Sequence, residues 1–106
     1  QASQGLTLLF DEVDSGIGGR VAEEVGQLLK ALGAKDQVLV VTHLPQVAGL
    51  GDAHFVVAKK TRQGRTVTQV SRVEGEARVE ELVRMLGAKE GSEAARQHAL
   101  ELLSRQ

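Results

Sequence analysis

Asp11, Glu12 and Asp14 put three carboxylates into four positions at the end of an apolar run, Leu6-Thr7-Leu8-Leu9-Phe10, and Ser15-Gly16-Ile17-Gly18-Gly19 follows at once. Carboxylates this close repel one another unless a cation, a helix end or solvent takes up the charge. Asp14 or Ser15 as a helix cap is the plain structural account, but a cap uses only one such group and leaves the others to solvent. Mg²⁺ offers a second account. It prefers hard oxygen ligands and keeps several waters, so one carboxylate at a strand end is enough to hold it directly or through water. Successive strand side chains point to opposite faces, which leaves Asp11 and Glu12 free for different tasks.

These residues need elements to hold them. Leu6 to Phe10 and Val38 to Val41 are almost unbroken apolar runs, the first ended by Asp11 and the second by Thr42 and His43. Such runs suit strands buried on both faces, as in parallel sheets. Val21, Val25, Leu28, Leu29 and Leu32 lie between them at helical spacing, with Gly33 as the expected residue just past the helix end. Strand, helix, strand is a βαβ unit, and its parallel crossover should be right-handed. Pro45 then suits the first turn of a short helix running to about Leu50.

Two further patterns complete the chain. His54 to Lys60 and the alternating Thr66 to Val73 flank the polar stretch Thr61 to Arg65, and Gly64 within it argues for a β-hairpin. Val79, Leu82, Val83 and Leu86 mark a long helix ended by Gly87, and Ser92 is the expected N-cap of a last helix carrying Ala95, Ala99, Leu102 and Leu103. Leu-Gly-Ala-Lys occurs at 32–35 and again at 86–89, which reads as two similar helix ends. The fold class is therefore α/β: a parallel βαβ unit, a hairpin and two C-terminal helices.

Composition bounds what such a chain does. Its 106 residues, 42% hydrophobic and 25% charged, make one domain at most. Phe10 and Phe55 are the only aromatics, so base stacking is nearly excluded as a recognition mode. A net charge of −1 is low for a protein that grips nucleic acid by charge alone, so any contact with DNA is expected to be local or indirect. The absence of Cys excludes disulfides, thiol catalysis and Cys-based zinc sites. The lack of Cys also fits a reducing cytosol, the location expected; no apolar run reaches the length of a membrane span, and no signal-peptide pattern opens the chain. A start at Gln1 followed directly by a strand reads as a piece of something longer.

An apolar strand ending in Asp-Glu is similar to the Walker B segment of ABC-type ATPases, where the Asp serves the Mg²⁺ of the nucleotide and the Glu polarises the attacking water. His43 adds to the likeness. It stands at the end of the next strand, where such ATPases carry a switch histidine that contacts the γ-phosphate, and a neutral imidazole can donate one hydrogen bond there. For His43 alone, a partly buried histidine bonded to a backbone carbonyl is the competing account.

Longer stretches carry a sharper resemblance. Leu9-Phe10-Asp11-Glu12-Val13-Asp14-Ser15-Gly16-Ile17-Gly18-Gly19, Val41-Thr42-His43-Leu44-Pro45-Gln46-Val47-Ala48, Asp52-Ala53-His54-Phe55 and Arg78 to Gly87 resemble, in order, the C-terminal part of the RecN family, SMC-like proteins of bacterial double-strand-break repair. The resemblance implies that 1–106 is the C-terminal lobe of an ABC/SMC-type P-loop ATPase head. It assigns Asp11 to Mg²⁺, Glu12 as catalytic base and His43 as switch histidine. Ser15, Gly16 and Gly18 would belong to the D-loop, which crosses between two heads sandwiching ATP. Many relatives end that loop with Asp where this chain has Gly18, so the contacts of that Asp have no counterpart here.

The partners implied are the N-terminal lobe of the same head, a second head in an ATP-dependent homodimer, and DNA through other regions; the location implied is the nucleoid. No Gly-x-x-x-x-Gly-Lys-Ser/Thr, no Leu-Ser-Gly-Gly and no heptad array occurs in the chain, so the segment alone is expected to be inactive in ATP hydrolysis. Two other readings compete. One is a Mg²⁺-binding receiver-like signalling domain using Asp11, Glu12 and Asp14; the other is a non-catalytic interaction module in which the acids cap a helix. Lys59, Lys60, Arg62 and Arg65 cluster around the hairpin, either as a solvated surface or as contacts to phosphates or DNA.

Overall fold

The computed structural model describes residues 7–11, 19–89 and 91–106. Strand β1 (Thr7–Asp11) pairs in parallel with β2 (Gln37–Val41), and helix α1 (Gly19–Gly33) makes the crossover between them. The register runs from Thr7 opposite Gln37 to Asp11 opposite Val41, so both strands end at one level. Leu8, Phe10, Val38 and Val40 point to the face covered by α1, where Phe10, Val38 and Val40 pack with Val25 against Ala22, Leu29 and Val47.

The opposite face departs from the expectation of strands buried on both sides. Leu9 is 67% exposed, Leu39 49% and Val41 53%, because no element among the described residues lies against them. An apolar run reports that both faces are suited to burial, and only one is covered within this chain.

Helix α2 (Pro45–Ala48) is a single turn, shorter than the stretch to Leu50 that its proline signals, with Pro45 at its first turn. It links two apolar clusters. Val47 belongs to the cluster under the βαβ unit, whereas Ala48 packs on Val79, Leu82 and Ala99, contributed by α3 (Gly75–Met85) and α4 (Glu93–Leu103). Gly26 of α1 lies against α2: an added Cβ would stand 3.5 Å from Gln46 O and Val47 Cα, and 2.7 Å from the side-chain end of Leu50 just past that helix. Leu82 is fully buried between the last two helices. Glu76 on α3 also receives a two-armed guanidinium pair from Arg96 on α4.

The two Leu-Gly-Ala-Lys segments end their helices differently. Gly33 is still helical, and the chain leaves through a turn in which the amides of Lys35 and Asp36 both donate to Leu32 O. Gly87 adopts φ +75 just past Leu86 and so fills the left-handed exit expected of both glycines. Ser92 caps α4 as its sequence predicts, accepting a hydrogen bond from the Ala95 amide at 3.2 Å.

The hairpin, β3 (His54–Arg62) and β4 (Arg65–Val73), is longer and its turn tighter than the polar stretch 61–65 indicates. Gln63 at φ +51 and Gly64 at φ +78 form a two-residue connection with both central residues left-handed, the pattern of a type I′ turn. Its twist matches that of the flanking strands, so Thr61, Arg62 and Arg65 stay paired instead of looping out. Among the described residues only the base is packed: His54 is buried and Val56 and Val73 are half-buried, while the distal rungs are exposed.

Candidate functional site

Asp11 closes β1 directly beside Val41, the last residue of β2. Two residues beyond Val41 the chain reaches His43, so the carboxylate and the imidazole are delivered to the same carboxyl edge of one parallel pair. Open α/β sheets bind ligands outside this edge. Both residues are exposed, and Asp11 makes no ion pair or hydrogen bond among the described residues.

The segment carrying His43 is shaped locally. Thr42 Oγ1 accepts a hydrogen bond from the Leu44 amide at 2.9 Å, a side-chain turn that takes the backbone out of the strand around His43. Leu44 then keeps extended backbone angles and Pro45 starts α2. Behind α2, four successive carbonyls are bound by side chains from three different places. Arg78 Nη2 on α3 donates to Ala48 O at 3.0 Å and Gly51 O at 2.8 Å. Gln106 Nε2 donates to Gly49 O at 3.0 Å and Gly51 O at 3.1 Å. Lys30 Nζ on α1 reaches Leu50 O at 3.4 Å and pairs with Asp52 at 3.3 Å.

A helix end normally leaves such carbonyls to solvent. Here they are the anchor that holds the His43 turn and α2 against both helical layers. Sequence reasoning gives Arg78, Gln106 and Lys30 no such role, since the partners are backbone atoms of distant residues.

Charge in this anchor is tuned by burial. The Arg78 guanidinium is held below its ordinary range by desolvation, partly offset by Asp52. His54, buried at the start of β3, is lowered from 6.5 first by desolvation and then by Arg78, against an opposing pull from Glu81. Its Nδ1 has no hydrogen-bond partner among the described residues.

Glu12, Ser15, Gly16 and Gly18, together with Asp14, lie outside the described residues. Asp11 and His43 are thus the two expected site residues for which the fold gives a position. No group of three or more His, Cys, Asp or Glu side chains arranged to hold a metal occurs among the described residues. A strand-end carboxylate without an ion pair among the described residues nevertheless suits Mg²⁺, which needs few protein ligands when water and phosphate supply the rest.

No protein-family model matches the chain. Its sequence is 53% identical over 97 residues to the DNA repair protein RecN of Streptomyces coelicolor, covering 92% of this chain and 17% of that protein. The RecN of Vibrio cholerae is 50% identical over 97 residues, covering 92% of this chain and 18% of that protein. The RecN of Halalkalibacterium halodurans is 43% identical over 101 residues, covering 94% and 18%. The chain therefore spans less than a fifth of the length of these curated relatives.

The fold is similar to a solved chain from work on the ATP-driven dimerization and DNA-stimulated activation of SMC ATPases, with a TM-score of 0.61 and 21% identity over 80% of this chain and 50% of that one. Among the described residues no helix is long and apolar enough to cross a membrane.

Proposed function

Since the chain is RecN-like over 92% of its length and shares the fold of an SMC ATPase chain, we propose that it is the C-terminal lobe of an ATP-hydrolysing head that acts in bacterial DNA double-strand-break repair and recombination. The observation that carries the reading is the shared edge. Asp11 ends one strand and His43 follows the end of the next, at the same carboxyl edge of the parallel pair, in the order that an Asp-Glu strand followed by a switch histidine requires.

In this reading Asp11 would hold Mg²⁺, directly or through water, and the bound ion would supply charge neutralisation at the phosphates. Glu12, the next residue, takes the proton side of the attacking water. His43 donates a hydrogen bond from its exposed position to the terminal phosphate, where charge grows as the bond breaks. Ser15, Gly16 and Gly18 contribute to the loop that meets a second head. ATP then bridges two heads, and its hydrolysis removes the phosphate that joins them.

The exposed face of Leu9, Leu39 and Val41 supports a further part of the reading, that an N-terminal lobe bearing the phosphate-cradling loop covers these strands. The segment by itself has no such loop and does not turn over ATP. A cytoplasmic, nucleoid-associated location follows from the same reading.

The test is Glu12→Gln in the full-length protein. ATP binding should persist, steady-state turnover should fall to background, and light scattering should find ATP-dependent dimers that outlast those of the parent. Unchanged turnover would remove Glu12 from the reaction.

A further inference from the structure

The hairpin carries a charge pattern that the ATPase reading leaves unused. Lys59, Lys60, Arg62, Arg65 and Arg72 lie within 54–73, which contains no Asp or Glu, so the hairpin bears +5 and the rest of the chain −6. A near-neutral protein is in fact divided into a cationic ribbon and an acidic body.

Arg72 is occupied, lying 5.9 Å over the Phe55 ring and 3.6 Å from Glu74. The other four cations are exposed and make no ion pair or hydrogen bond among the described residues. Arg62 and Arg65 stand directly opposite each other in the last rung, and Lys60, one step along that face opposite Val67, adds a third charge. Like charges directly opposed across a ladder destabilise it. Keeping an edge soluble requires charge but not charge of one sign, so a ribbon shaped only against aggregation gains nothing from this repulsion. An anion lying against the tip would relieve it.

We infer that the distal half of the hairpin grips the phosphate backbone of duplex DNA, independently of sequence, through Lys60, Arg62 and Arg65, with Lys59 on the opposite face. Nine residues per strand give a ribbon about 30 Å long, and a two-stranded ribbon fits the major groove, about 12 Å wide. The type I′ turn fixes the tip, so the charges are presented without a floppy loop to order. Neutral donors accompany them: Thr61, Thr66 and Thr68 share the Lys59 face. An acidic protein surface fits less well, since the distal rungs offer only Ala58 and Val67 as apolar anchors. The inference goes beyond the ATPase reading and stands independently of it.

The test compares the full-length protein with K60A/R62A/R65A and with the charge-retaining K60R/R62K/R65K, by fluorescence anisotropy on two unrelated duplexes across a salt series. Three lost phosphate contacts should flatten the slope of log K against log salt by about 2.7, and weaken binding roughly a hundredfold or more near 100 mM salt. Both duplexes should suffer equally, and the charge-retaining variant should stay near the parent.

Unchanged affinity and slope in the alanine variant would overturn the inference, as would loss of poly-glutamate binding with duplex binding intact, the mark of an acidic protein partner. Circular dichroism shows whether the hairpin variants fold. ATP turnover measured without DNA should be the same in all three proteins. Absent turnover in the parent would sink the ATPase reading while the DNA arm still decides this one.

Discussion

Asp11 and His43 share the carboxyl edge of one parallel strand pair, because Asp11 is in register with Val41 and His43 lies two residues beyond it. Neither residue is held there by bonds of its own side chain to the described residues. The strands fix Asp11, and the anchored turn after β2 fixes His43. Function should therefore respond to changes in the anchor as well as in the site.

Arg78 is the first such anchor. Arg78→Ala removes two hydrogen bonds from a charged donor to Ala48 O and Gly51 O, each worth about 1.5–3 kcal/mol when part-buried. The expected result in the full-length protein is faster hydrogen exchange in α2 and residues 49–52, together with lower ATP turnover at unchanged nucleotide affinity. Arg78→Lys should recover only part, since one ammonium on a flexible stem does not reproduce the planar fork. Exchange at parental rates in Arg78→Ala would show that the loop holds itself.

Leu82 tests the support beneath that anchor. It is fully buried between α3 and α4, so Leu82→Ala should cost about 2–5 kcal/mol. Amides of both helices should exchange roughly 30-fold faster or more in the intact protein, whereas those of the distal hairpin, which touch neither helix, should not change.

A third expectation concerns acid. Burial and Arg78 hold His54 below 6.5, so between its folded value and 6.5 the unfolded chain binds more protons than the folded one. The contribution is present above 6.5 and is lost as pH falls through the folded value. Chemical denaturation at pH 7.5 and 5.5 should show a larger loss of stability on acidification for the parent than for His54→Gln. Equal losses would mean that the imidazole is not the titrating group.

Much of this arrangement is legible in the residues, and the parts that are not have physical reasons. Two apolar runs each ended by a polar pair, with a helical stripe between them, dictate a βαβ unit, and that alone brings Asp11 and His43 to one edge. Ser92 and Gly87 do what their types dictate because caps are local. Gly33 does not, since Leu32 O takes two amides in a turn that needs no left-handed residue. The hairpin turn narrows to Gln63-Gly64 because strand pairing recruits the polar Thr61, Arg62 and Arg65, which composition alone assigns to a loop. The exposure of Leu9, Leu39 and Val41 is unreadable from an apolar run, which is the same whether its cover lies nearby or far off in sequence. The carbonyl anchor is invisible for a different reason: its acceptors are backbone atoms, which no residue type announces.

Asp11 and His43 are proposed to serve one nucleotide site. The direct measurement is steady-state, Mg²⁺-dependent ATP hydrolysis by the full-length protein carrying Asp11→Asn, His43→Ala, and both. Groups that act as a unit on one transition state are not additive. Each single change should lower turnover roughly a hundredfold or more, and the double variant should be no slower than the slower single. Parental turnover in either single variant, or losses that multiply in the double, would contradict a shared site at this edge.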